Sequence, residues 1–128
     1  MLGDSKAYSG FAVKDMAAAR RFYEEALGLR TSVLDEEAGL LTIHLPGDRD
    51  MLVYTKPDHE PANYTILNFP VEDLEATVDG LAERGVEFER YEGFDQDERG
   101  IARGGDGPPD IAWFTDPSGN IFAVHSAT

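Results

Sequence analysis

The sequence predicts an α+β fold made of two consecutive βαβββ modules. Three observations lead there. Tyr8–Leu29 and Ile66–Phe88 read alike: an apolar strand, an Asp, an amphipathic helix and a closing Gly. The two Asp residues, Asp15 and Asp73, stand 58 positions apart, the spacing of a duplication. Between the copies, Lys56–Asn63 carries Pro57 and Pro61 and reads as a linker. The predicted organisation is one domain over 1–128, with modules at 7–55 and 64–126 joined by 56–63.

Residues 1–6 show no periodicity. In the first strand, Phe11 and Val13 alternate with Gly10 and Ala12, as one packed face requires. A short carboxylate at Asp15 accepts bonds from the free amides of a first helical turn. Met16, Ala19, Tyr23, Ala26 and Leu27 then recur at helical spacing up to Gly28. Strands are predicted at Arg30–Glu36, Leu40–Leu45 and Asp50–Thr55. In the middle one, Leu41, Ile43 and Leu45 share one face, with Thr42 and His44 on the other.

The second copy runs as strand Tyr64–Val71, helix Asp73–Arg84 and strand Val86–Tyr91. A long glycine-rich loop, Glu92–Pro109, carries the acidic run Asp95-Gln96-Asp97-Glu98; its length marks it as functional or mobile. Ile111–Thr115 and Asn120–His125 close the copy as a hairpin across Asp116-Pro117-Ser118-Gly119. There Asp116 bonds ahead to the backbone, Pro117 presets its torsion and Gly119 tolerates a left-handed angle.

The chain has 128 residues, of which 41% are hydrophobic, enough for a core shared by two halves that would each be marginal alone. No apolar run is long enough to span a bilayer, and no signal-peptide core is seen, so a cytoplasmic location without membrane partners is expected. The absence of cysteine removes disulfides and thiolate chemistry. The formal net charge of −14 argues against nucleic acid, whose phosphates call for clustered Lys and Arg. Divided at Ala62, the halves carry −4 and −10. Such a surface favours solubility first and cationic ligands second. Ser, His and Asp are all present, but no nucleophile elbow and no phosphate-binding glycine loop is.

Two βαβββ units, a V-x-D-(M/L)-x-x-A helix start in each, "FYEEALGL" closing the first helix and "FTDPSGN" before the last strand resemble the vicinal oxygen chelate superfamily. That superfamily holds glyoxalases, bleomycin-resistance proteins and extradiol dioxygenases. The resemblance extends from about Ala7 to His125 and implies curled mixed sheets around a central cavity, with helices outside. It also implies four metal-ligand positions: seven residues before each capping Asp, and on the last strand of each unit. Here these fall on Tyr8, Ile66, Ala123 and Val53, or Tyr54 if the register slips by one. A divalent ion needs convergent imidazole or carboxylate donors, and these residues supply none. No cofactor is therefore expected; a metal would require ligands relocated to His44 and His125.

By strand parity, Phe11, Val13, Leu67, Phe69, Phe122 and Val124 face the helices. The opposite parity gives the expected cavity: Tyr8, Gly10, Thr42, His44, Val53, Ile66, Asn68, Ala123 and His125, joined by Trp113. Such a mix of apolar, aromatic and a few hydrogen-bonding groups suits a small organic ligand, with Asp95, Asp97 and Glu98 available to a cationic one. Metal-free binding of such a ligand is the first reading, leaning against catalysis. A metal-dependent lyase or dioxygenase with relocated ligands is the second, and a non-catalytic dimerisation module the third. A homodimer is expected from the resemblance.

Overall fold

The computed structural model describes residues 1–127 and divides into two units, one at Met1–His59 and a second from Glu60 onward. In the first, a short 3₁₀ turn (Leu2–Asp4) precedes β1 (Gly10–Val13), α1 (Met16–Arg21), a π turn (Phe22–Ala26), β2 (Arg30–Asp35), β3 (Leu40–His44) and β4 (Met51–Thr55). In the second, β5 (Thr65–Val71) leads to α2 (Leu74–Glu83), β6 (Ile111–Thr115) and β7 (Ile121–Ser126). Both units are α+β with mixed sheets.

The helix starts form as their chemistry dictates. Asp15 Oδ1 accepts from Ala18 N and Asp73 Oδ1 from Ala76 N, each at 3.1 Å. The first helix does not run evenly to Leu27, as its periodicity suggests. At Phe22 it widens, and Leu27 N–H bonds to Phe22 O at 3.2 Å, a five-residue step. Ala19, Tyr23 and Ala26 still reach the core, and Gly28 ends the segment at φ 70°.

The first sheet has the order β1-β4-β3-β2, with β1 parallel to β4 and the other pairs antiparallel. Phe11 pairs with Val53 and Leu41 pairs with Val53, so these residues share one face with Val13 and Ile43. This face is the core side: α1 packs against β3, and the Phe11 and Tyr23 rings meet edge to face at 6.3 Å. Val53 is fully buried there.

The second sheet has the order β5-β7-β6. Its core face stacks Phe69, Phe122, Phe114 and Phe88, with successive ring centroids 6.2, 5.7 and 5.8 Å apart. The Asp116 turn is built as the sequence suggests. Its buried carboxylate accepts from Ser118 N and Asn120 N at 2.9 Å and from Asn120 Nδ2 at 3.0 Å.

The predicted strand Val86–Tyr91 is reduced to one bridge, Phe88 to Phe114, and one bond from Glu89 N to Trp113 O at 2.8 Å. The cause is Gln96, whose side chain does what a neighbouring strand would do. Its Oε1 accepts from Tyr91 N at 2.9 Å, and its Nε2 donates to Glu89 O at 2.9 Å and Gly100 O at 2.7 Å. The following loop is knitted together. Arg90 donates to the carbonyls of Asp97 and Glu98 at 2.7 and 3.1 Å. Arg103 reaches Glu75 and Asp97 at 2.8 Å and Asp110 at 3.2 Å, while Arg99 binds Asp79 at 2.9 Å. Ile101 is fully buried. A Cβ on Gly104 would lie 1.6 Å from Pro108 O, so only glycine fits where the loop folds back on itself.

Candidate functional site

Each sheet has a second face, opposite its core side. In the first unit that face carries Gly10 and Ala12 on β1, Leu52 and Tyr54 on β4, Leu40, Thr42 and His44 on β3, and Arg30 and Ser32 on β2. Val53 does not belong to it. Placing Val53 beside Thr42 and His44 was an error of one residue in register, which in a strand turns a side chain to the other face. Leu52 and Tyr54 occupy that face instead.

Tyr8 precedes β1 and is 74% exposed. With Leu34, Leu40, Thr42, Leu52 and Asp50 it borders a groove of about 620 Å³. His44 stands further along β3: Nε2 lies 2.6 Å from Ser32 Oγ, and Nδ1 faces Asp50 Oδ1 at 3.3 Å. Ser32 and Asp50 were not among the residues singled out from sequence.

In the second unit, Asn68, Ala123 and Trp113 are register partners across the three strands, and His125 pairs with Pro70 and Ile111 on the same face. Ile66 falls where the β5–β7 register shifts, without a partner of its own, so parity does not fix its face. His125 Nδ1 lies 2.9 Å from Ser126 O. Trp113 packs with Ala102 and Ala123, and its ring is flanked by Tyr91 at 5.4 Å and Phe94 at 4.9 Å. Phe94 is 55% exposed, so this aromatic cluster is open to solvent on one side. Burial, with Glu89 nearby, raises the Tyr91 phenol and keeps it neutral. Tyr91 and Phe94 also escaped the sequence reading; their signal is two aromatics in or beside a long glycine-rich loop.

The acidic run of that loop is mostly spoken for. Burial pushes the Asp97 carboxyl up, but bonds from Ile101 N, Arg103 and Arg99 N outweigh it and hold the group below the usual carboxylate range. Asp97 is thus part of the loop's frame. Asp95 and Glu98 are exposed, and Glu98 stands 3.9 Å from Arg99.

The residues at the superfamily's ligand positions do not fit a divalent metal. Tyr8, Ile66, Ala123 and either Val53 or Tyr54 present phenols and hydrocarbon. Among the described residues no three His, Cys, Asp or Glu side chains converge as a metal set. His44 and His125 lie in different units, each with its own partners. No described helix is long and apolar enough to cross a membrane.

Comparison with known proteins supplies the family. The sequence profile of the Glyoxalase/Bleomycin resistance protein/Dioxygenase superfamily matches residues 7–124. No curated protein sequence matches significantly. Among solved structures, TnmS3, an antibiotic binding protein from Streptomyces sp. CB03234, is 22% identical over 98% of both chains, with a TM-score of 0.68. The fosfomycin resistance protein FosX from Listeria monocytogenes is 13% identical over 98% of this chain and 92% of its own, with a TM-score of 0.71. A superfamily member from Sphaerobacter thermophilus is 22% identical over 95% and 98%, with a TM-score of 0.66. At these identities the structures speak for the fold, and the profile match speaks for descent: the chain belongs to the glyoxalase/bleomycin resistance protein/dioxygenase superfamily.

Proposed function

We propose that the chain is a metal-free binder of a small organic molecule with a planar aromatic portion, held on the Trp113 face of the second unit. The observation behind this is the aromatic cluster itself. Trp113 is fixed by Ala102 and Ala123, Tyr91 stands edge-on to it, and the half-exposed Phe94 ring lies against it. Aromatic rings prefer offset or edge-to-face neighbours, and a flat ligand would satisfy the side of Phe94 now in water. Asn68, exposed on the same face, adds an amide for orientation. The strongly acidic balance of this half favours a cationic ligand. The antibiotic-binding neighbour TnmS3 has the same fold.

The test is titration of Trp113 fluorescence, the chain's single tryptophan, with the planar cationic dye acridine orange and with neutral anthraquinone. Saturable quenching that survives excess EDTA is expected. In Phe94→Ala the affinity should fall about tenfold, or about 1.4 kcal/mol, at an unchanged melting temperature. No saturable binding of either compound, or binding that EDTA abolishes, defeats the reading.

A further inference from the structure

The first unit holds a constellation that the ligand-binding reading does not use. Ser32 and Thr42 are paired across β2 and β3, and Arg30 is paired with His44. This pairing puts Ser32 and His44 on one face, and their side chains close to 2.6 Å, Oγ to Nε2. The chain then turns through Pro46–Arg49, and Asp50 comes within 3.3 Å of Nδ1 on the other side of the ring. A carboxylate at Nδ1 favours the tautomer with its proton there, which leaves the Nε2 lone pair to accept the serine proton. The order hydroxyl, imidazole, carboxylate, with each ring nitrogen assigned to one partner, is what an activated serine requires.

We propose that Ser32, His44 and Asp50 form a nucleophilic triad that hydrolyses small carboxylic esters. Ser32 Oγ attacks the ester carbonyl carbon as its proton passes to His44 Nε2. The ester C–O bond breaks, the departing alkoxide takes that proton, and an acyl-serine remains. Water then attacks the acyl carbon, giving its proton to Nε2; the serine oxygen leaves and recovers the proton, releasing the acid. Ester and water become acid and alcohol, with no other reactant. Ser32 and His44 touch the reacting atoms; Asp50 is a positioning residue.

Access and charge agree with this role. Ser32, His44 and Arg30 border an open groove of about 520 Å³, with Glu24, Leu29 and Thr31 also lining it. Arg30 lines this groove and supplies a cation suited to the negative charge that develops on the carbonyl oxygen. The triad sits on an extended strand rather than a tight elbow, so it has no local sequence signature.

The intact protein is tested with a fluorophosphonate and with p-nitrophenyl acetate. Expected are one adduct per chain, located on Ser32 by peptide mass spectrometry, and a burst of one nitrophenolate per chain. Ser32→Ala should lose both, and His44→Gln should slow both about a hundredfold. Ser32 is exposed, so its variant is expected to keep the wild-type circular dichroism. Asp50→Asn should slow labelling about tenfold, and Asp50→Glu, which keeps the carboxylate, should restore most of the rate. No adduct, an adduct on another residue, or burst kinetics retained in Ser32→Ala overturns the triad. Labelling at the wild-type rate in Asp50→Asn, or no rescue in Asp50→Glu, overturns the role of Asp50.

Discussion

The two units share a frame and differ in what the frame displays. Both begin with a strand, an Asp cap of identical geometry and a helix, and both end on a strand parallel to the first. The first completes a four-stranded sheet whose open face mixes Ser32, Thr42, His44 and Arg30 with Leu40 and Leu52. The second stops at three strands, gives its fourth position to a hydrogen-bonded loop, and turns an aromatic face outward. In both units local bonds of the backbone set the elements, and they constrain the open faces little.

Several substitutions bear on this contrast, and the largest effect is expected at a turn that holds the second unit alone. Asp116→Ala removes the acceptor of three bonds inside a buried hairpin and should lower unfolding free energy by about 3 kcal/mol, read from the denaturant midpoint. The caps test the shared frame. Asp15→Ala and Asp73→Ala should each cost about 1 kcal/mol, and a marked inequality would show that the two helices are not equivalent supports.

The smallest effect is one of acidity. The bond from Gly104 N, then Arg103, holds the Asp110 carboxyl below its ordinary range, and Asp97 is lowered as well. Each binds its proton less readily folded than unfolded. Their contribution is therefore present above the unfolded carboxylate value, about pH 4, and is lost as pH falls through the lower folded values. Trp113 touches this loop through Tyr91 and Phe94, so its fluorescence should report loosening of the second unit on acidification. In Arg103→Ala the change should begin at higher pH; an unshifted transition would remove the network from the account.

What could be read from sequence was what short stretches decide. The capping Asp residues, the Asp116 turn and the core faces of β1, β5 and β7 depend on neighbours a few positions away. The face of Val53 depends on how β4 registers against β1 and β3, and the single-residue alternative, Tyr54, is the one on the Thr42 face. The strand expected at 86–91 has a fitting pattern, but its fate was decided by the Gln96 side chain. Ser32, His44 and Asp50 are separated by a whole hairpin and a turn, and only strand pairing brings them together. Tyr91 and Phe94 gain meaning only once the loop places them beside Trp113.

Gln96 has a consequence beyond the fold. Sheet borders are where chains adhere to one another, since unspent amides there can recruit a stranger's backbone. Beside β6 lies the 89–91 segment, whose Tyr91 amide and Glu89 carbonyl are already occupied by a glutamine from the same chain. At high concentration, that border offers a newcomer little to zip onto, and one carboxamide has become a safeguard against clumping.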